Sequence, residues 1–207
     1  MKKLISAILL LLFASLSIFS EDISFSGGYT RMRMQEGFET ITLGDSAEVT
    51  VGSLKLTSDE MVLSGKDFRY VSCTGNVTVT DPERGISLIT KSLFFDRMEE
   101  LIIVDSWVEL QDTTNEVASS SGRLEFNLKK GVVLLQIQVR LLKHTDDGAM
   151  VCRADSIQFD RDKELLELRG NATIVWNPDT YEAQTINVNL QTEEIKMDGS
   201  IKGTIHG

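Results

Sequence analysis

Residues 73–79 read CTGNVTV, and residues 168–174 read LRGNATI. In both, Gly-Asn stands between apolar residues and a threonine follows two places after the asparagine. Two readings compete. Asn76 and Asn171 each head an Asn-x-Thr glycan acceptor signal. Alternatively, Gly75-Asn76 and Gly170-Asn171 are turns that recur because a structural unit recurs.

Aligning the chain on these turns exposes further copies. Turn positions fall at Asp45, Gly75, Ser106, Ile137, Gly170 and Gly199, separated by 30, 31, 31, 33 and 29 residues. Spacing of this regularity marks a repeat architecture. Two and four residues before each turn stand Leu43/Ile41, Cys73/Val71, Val104/Ile102, Leu135/Val133, Leu168/Leu166 and Met197/Ile195. Two and four after it stand Ala47/Val49, Val77/Val79, Val108/Leu110, Val139/Leu141, Ala172/Ile174 and Ile201/Gly203. A third set lies upstream: Met32/Met34, Met61/Leu63, Leu93/Phe95, Leu124/Phe126, Ile157/Phe159 and Ile186/Val188. Of these 36 positions only Gly203 is neither apolar nor Cys, whereas a 42% apolar content predicts about fifteen. Only four of the eighteen residues between the paired positions are apolar. A period of two means strands with one buried and one wet face. The chain is therefore expected to be all-β, with three short strand segments per unit. Thr78 and Thr173 fall on the outward phase, and turn chemistry at φ > 0 accounts for both asparagines without a glycan.

Bulk composition narrows the function classes. The 207 residues carry 21 Lys and Arg against 31 Asp and Glu, a formal charge of −10. That excess repels nucleic acid and disfavours adhesion to an anionic membrane surface by charge. Cys73 and Cys152 sit in alternating apolar stretches, three units apart, where cysteine serves as a small hydrophobe; two free buried thiols are expected. The N-terminus, MKKLISAILLLLFASLSIFSED, has a basic start, an apolar run and small residues, the grammar of a cleaved export signal over residues 1–20. Its apolar run of about 16 residues is shorter than the roughly 20 that a spanning helix needs, although a retained anchor is the alternative. Residues 21–207 are expected to form a single domain.

The unit itself has a recognisable form. ADSIQFD (154–160) leads to LELRGNA (166–172), and SDEMVLS (58–64) leads to VSCTGNV (71–77). KSLFFD (91–96) and GRLEFN (122–127) are copies that have lost the Gly-Asn. Over about residues 32–203 the pattern resembles the OstA-like domain shared by LptA, LptC and the N-terminal part of LptD in lipopolysaccharide transport. The resemblance implies a β-jelly roll or β-solenoid of about six units of about 31 residues, open along one side. It further implies an apolar groove for lipid acyl chains, lined by Met61, Leu63, Leu93, Phe95, Leu124, Phe126, Ile157, Phe159, Ile186 and Val188. Ile195, Met197 and Ile201 would form an edge for head-to-tail contact with like domains or with further copies of the chain. The implied role is a periplasmic, LptA-like bridge that carries lipopolysaccharide or another acylated envelope lipid, with no cofactor. An acyl chain of about fourteen carbons loses about 10 kcal/mol on leaving such a groove for water, which favours passage from groove to groove over a shuttle.

Three other readings stay open. An LptC-like accessory subunit would keep the N-terminal segment as an inner-membrane anchor. A structural or adhesive β-solenoid would share the repeat but fill its interior. An enzyme is not expected. Asp59 and Asp155 share one repeat phase, and Asp96 and Asp160 another, as residues at strand ends do. His144 and His206 lie in no metal or triad context. Arg31, Arg33, Arg123, Lys143 and Arg153 are the cations that a groove mouth could offer to phosphates. Trp107, Trp176 and Tyr181 fit strand-edge packing or a rim.

Overall fold

The computed structural model describes residues 22–35, 39–146 and 148–206. The proposed export signal lies outside them. Sixteen strands form one sheet: β1 (Ile23–Ser26), β2 (Tyr29–Arg33), β3 (Thr40–Val51), β4 (Leu54–Ser64), β5 (Tyr70–Asp81), β6 (Ile86–Asp96), β7 (Leu101–Val104), β8 (Val108–Asp112), β9 (Val117–Ser121), β10 (Arg123–Asn127), β11 (Val132–Thr145), β12 (Gly148–Asp160), β13 (Leu165–Trp176), β14 (Asp179–Asn189), β15 (Glu194–Asp198) and β16 (Lys202–Thr204). Every pairing is antiparallel. Among the described residues, no helix is long and apolar enough to cross a membrane.

Three short segments per unit is corrected by the structure. Segments before and after a turn position are two halves of one long strand, as in β3, β5, β11 and β13. A fourth segment, holding Leu54/Leu56, Ile86/Leu88 and Met150/Cys152, lies beyond the next hairpin and is also buried. Each long strand crosses from one layer of the folded sheet to the other. In strands that carry a turn position, the step from the last inward side chain of one layer to the first of the next is four: Leu43 to Ala47, Cys73 to Val77, Leu135 to Val139, Leu168 to Ala172. In the partners the step is three: Ser58 to Met61, Thr90 to Leu93, Ala154 to Ile157, Ala183 to Ile186. The register shifts at each corner by that one residue, a β-bulge.

The extra residue is accommodated by two successive left-handed residues. They are Asp45-Ser46, Gly75-Asn76, Ile137-Gln138, Gly170-Asn171 and Gly199-Ser200. The turn position at Ser106 lacks this pair, and there the strand breaks into β7 and β8. The opening question resolves at these corners. Asn76 Nδ2 donates to Asp59 Oδ2 at 2.9 Å, and Asn171 Nδ2 to Asp155 Oδ2 at 3.0 Å. A Cβ on Gly75 or Gly170 would run into those same aspartates. Glycine is needed for space and φ, and asparagine for a donor that tolerates φ > 0. Asp59 and Asp155 are thus corner acceptors.

Asp96 and Asp160 cap hairpins. Asp96 Oδ1 accepts from the Met98 and Glu99 amides, and Asp160 Oδ1 from Lys163 N, as Asp112 Oδ1 does from Asn115 N. Hydrogen bonds from Arg69 hold the Asp96 carboxyl below its ordinary value against the opposing effect of burial.

The inward faces of the two layers pack into one apolar cluster. Thirty of the 36 inward positions are buried. Met32, Met34, Ile195, Met197, Ile201 and Gly203 are not, and all six lie in the first or last unit, where the sheet runs out of neighbours. Both cysteines are free and buried, Cys73 in one layer and Cys152 in the other. Burial pushes both thiols up to about 12, so neither is a nucleophile at neutral pH. An aromatic disulfide reagent should titrate no thiol in the folded protein and two after denaturation. Fast labelling of either thiol in the native state would contradict this packing.

Candidate functional site

Cross-strand register converts the alternating pattern into continuous apolar rows. In the first layer one row runs Met32, Ile41, Leu63, Val71, Phe95, Ile102, Phe126, Val133, Phe159, Leu166, Val188, Ile195, each the cross-strand partner of the next. Beside it run Leu43, Met61, Cys73 and Leu93, and then Leu124, Leu135, Ile157, Leu168, Ile186 and Met197. All ten residues expected to line a groove lie in these two rows, at 0–4% exposure. They form one wall of the interior. The facing wall is the second layer's row of Val49, Leu56, Val79, Leu88, Leu110, Ser119, Leu141, Cys152 and Ile174. Ser119 interrupts it, and its hydroxyl is buried with no hydrogen-bond partner among the described residues.

The layers join at the corners, so their free ends meet on the opposite side. This seam is bridged by charge. Arg161, just past β12 in the first layer, reaches the end of β8 in the second. Its Nε donates to Asp112 Oδ2 at 2.6 Å and its Nη2 to Asp112 Oδ1 at 3.1 Å. Nη2 also donates to the Arg84 carbonyl at 2.8 Å. Arg84, in the β5–β6 turn, pairs with Asp81 at 2.7 Å and with Glu100 of the other layer at 3.6 Å. Burial alone would raise the Asp81 carboxyl, but hydrogen bonds from Arg84 and Ser53 bring it below its ordinary value. The Arg161 guanidinium also lies 5.7 Å from the centre of the Phe126 ring, so it touches the apolar interior as well as the seam.

At the two ends the sheet has one-sided strands. β1 and β2 pair only with β3, and β15 and β16 only with β14, among the described residues. Exposed apolar side chains gather there: Tyr29, Met32 and Met34 at one end, Ile201 and Ile205 at the other.

Residues 30–194 match the family described as LptA/(LptD N-terminal domain) LPS transport protein. The chain belongs to that family. The matched stretch takes in the apolar rows from Met32 to Val188, the corners from Asp45 to Asn171 and the seam. Among solved structures, the chain is similar to LptH of Pseudomonas aeruginosa, described as the LptA homologous periplasmic component of the lipopolysaccharide transport device. Identity is 12%, coverage is 90% of this chain and 96% of that one, and the TM-score is 0.29. A likeness of that size carries nothing over to this chain. Among curated proteins, a class II fumarate hydratase of Staphylococcus haemolyticus is 26% identical over 117 residues, covering 54% of this chain. The chain spans only 25% of that enzyme's length, and its activity does not transfer. No group of three or more His, Cys, Asp or Glu among the described residues could hold a metal.

Sequence reading and structure part company over the cations. Arg123 is committed to Asp105, Glu125 and Gln136. Arg153 faces outward beside Arg140, and with Trp107 it lines a surface cleft of about 540 Å³ outside the roll. Arg31 and Arg33 are exposed on β2. Lys143 does face the seam, on the same inward row as Asp112 through Val117. Arg161, which bridges the seam, was not among the residues singled out. Its neighbours in sequence, Asp160 and Asp162, read as a charged hairpin, and only the folding over of the sheet brings it to Asp112, 49 residues away. Trp176 packs against the core and donates Nε1 to Thr145 Oγ1 at 3.2 Å, an edge-packing role.

Proposed function

We propose that this protein is a periplasmic lipid-binding bridge resembling LptA. It carries lipopolysaccharide or a similar acylated envelope lipid toward the outer membrane along the interior between the two layers. The observation that supports it is the apolar row continuous across twelve strands from Met32 to Ile195, with a second row beside it, which ends at each side in a one-sided strand edge. Such a row offers an acyl chain equivalent contacts at every step, so movement along it needs no exposure to water. The end strands offer unpaired backbone groups and exposed methionine or isoleucine side chains to a like domain, another copy included. The family description as an LPS transport protein agrees with this role.

A photo-crosslinking amino acid in place of Phe95 or Phe159 should capture purified lipopolysaccharide. The same group in place of the outward Thr173 should not. Equal capture at all three positions would sink the interior as the cargo site and favour a filled structural solenoid. For the ends, Met32→Asp and Ile201→Asp should each lower concentration-dependent association in sedimentation velocity while leaving crosslinking at Phe95 unchanged. Unchanged association in both would remove the head-to-tail part of the proposal.

A further inference from the structure

The seam is bridged at Arg161, so a lipid that enters the interior sideways has to pass that bridge. That bridge has the chemistry of a releasable latch. Its acceptors do not depend on Arg161. Asp112 keeps hydrogen bonds from Asn115 N at 3.0 Å and Asn115 Nδ2 at 2.9 Å. The Arg84 carbonyl keeps Thr114 Oγ1 at 3.1 Å. When Arg161 swings away, neither acceptor is left without a hydrogen bond, which lowers the cost of opening, although the Asp112 charge then lacks its counter-ion. On the donor side, Arg161 Nη1 makes no hydrogen bond among the described residues. That nitrogen is not among the buried atoms that lack a partner, so it reaches solvent. Lys143 stands across the seam from Arg161, on the row of Asp112, with a single ion contact to Glu116 at 3.5 Å.

Just inside the latch lies the buried Ser119 hydroxyl without a partner, one inward position from Val117, which pairs with Asp112. An unsatisfied buried hydroxyl costs stability and is retained here in an otherwise apolar row. Cation, orphan hydroxyl and apolar rows follow one another from the seam inward. That is the order of anionic group, polar linkage and acyl chain in an acylated phosphate or carboxylate.

Resting on the lipid-carrier reading, we propose that Arg161 is the headgroup-binding residue of the interior: an amphiphile whose anionic group lies next to its acyl chain takes Arg161 over from Asp112, opens the seam and loads sideways, with Ser119 meeting the polar linkage.

Spin labels on cysteines placed at Gln111 and Lys129, both exposed near the free ends of opposite layers, report the seam width. The buried native thiols stay unlabelled. Probes are dodecyl phosphate, dodecyl maltoside and inorganic phosphate, the detergents below their micelle concentrations. Dodecyl phosphate should widen the distance distribution at concentrations about ten- to a hundredfold lower than dodecyl maltoside, the range expected for one charged hydrogen-bonded contact. Inorganic phosphate should leave the distribution unchanged, since it brings no chain to hold the layers apart. Arg161→Gln should abolish the preference for dodecyl phosphate. Asp112→Asn, which weakens the latch, should lower the concentrations needed of both detergents by several-fold and keep the preference for dodecyl phosphate. If the protein widens with both detergents but Arg161→Gln keeps the preference, the headgroup assignment falls and the carrier reading stands. Widening by inorganic phosphate alone would show an ion-operated seam and overturn lipid loading there. If neither detergent is taken up, the carrier reading and this inference fall together.

Discussion

Replacing Phe126 with alanine is expected to cost about 3–5 kcal/mol of folding stability, as loss of a fully buried aromatic side chain does. Phe126 is 0% exposed at the centre of the longest row, with Ile102 and Val133 as its partners on either side. Both neighbours sit in paired central strands and cannot collapse into the gap without dragging the ladder with them. The ring is also the surface on which the Arg161 guanidinium rests. Urea unfolding with an unchanged dependence on denaturant and a lower midpoint would show the loss. A change under about 1 kcal/mol would mean that the interior is plastic at its centre.

The nearby Arg161 also decides how a charge should be introduced. An aspartate at Phe126 lies within reach of that guanidinium and can recruit it. Leu124→Asp places the carboxylate in the neighbouring row, among Val104 and Leu135. It should be the more destabilising of the two, because a buried charge without a partner carries its full desolvation penalty.

The second large effect is expected at a corner. Gly170→Ala should cost about 2–4 kcal/mol, from a left-handed φ of 76° and a Cβ driven into Asp155. Gly203→Ala is the matched comparison, since the added carbon there meets its nearest neighbour at an ordinary 3.6 Å. It should change stability by less than about 0.5 kcal/mol. Adding Asp155→Ala should relieve part of the Gly170→Ala cost, a coupling of about 0.5–3 kcal/mol in a double-mutant cycle. Strict additivity would show that backbone strain alone, and not the aspartate, demands glycine.

These positions also show what was legible in advance. The corner was readable because its chemistry is local: Gly-Asn can do few things between two alternating apolar pairs, and its spacing repeats. The inward faces were readable for the same reason. The continuity of the long strands was not, because alternation looks alike whether a chain bends and goes on or turns back. The fourth segment, with Leu54/Leu56 and Ile86/Leu88, stood in plain alternation after Gly52-Ser53 and after Pro82–Gly85. It holds no corner, so a spacing counted from corner to corner passes over it. The latch was beyond reach for a different reason. Arg161 and Asp112 have no common motif, and their meeting is a property of two strand ends brought together by the whole fold.

The four-residue and three-residue corner steps have one more consequence. A corner is written into one strand of each hairpin, and its partner follows by register. Bending is therefore encoded unit by unit, with no residue that serves the roll as a whole. Length becomes a quantity that can be changed in whole steps. At about 4.8 Å per strand, one hairpin adds about 10 Å, and the twelve strands of the first layer span about 50 Å. A chain of this construction measures distance by counting hairpins.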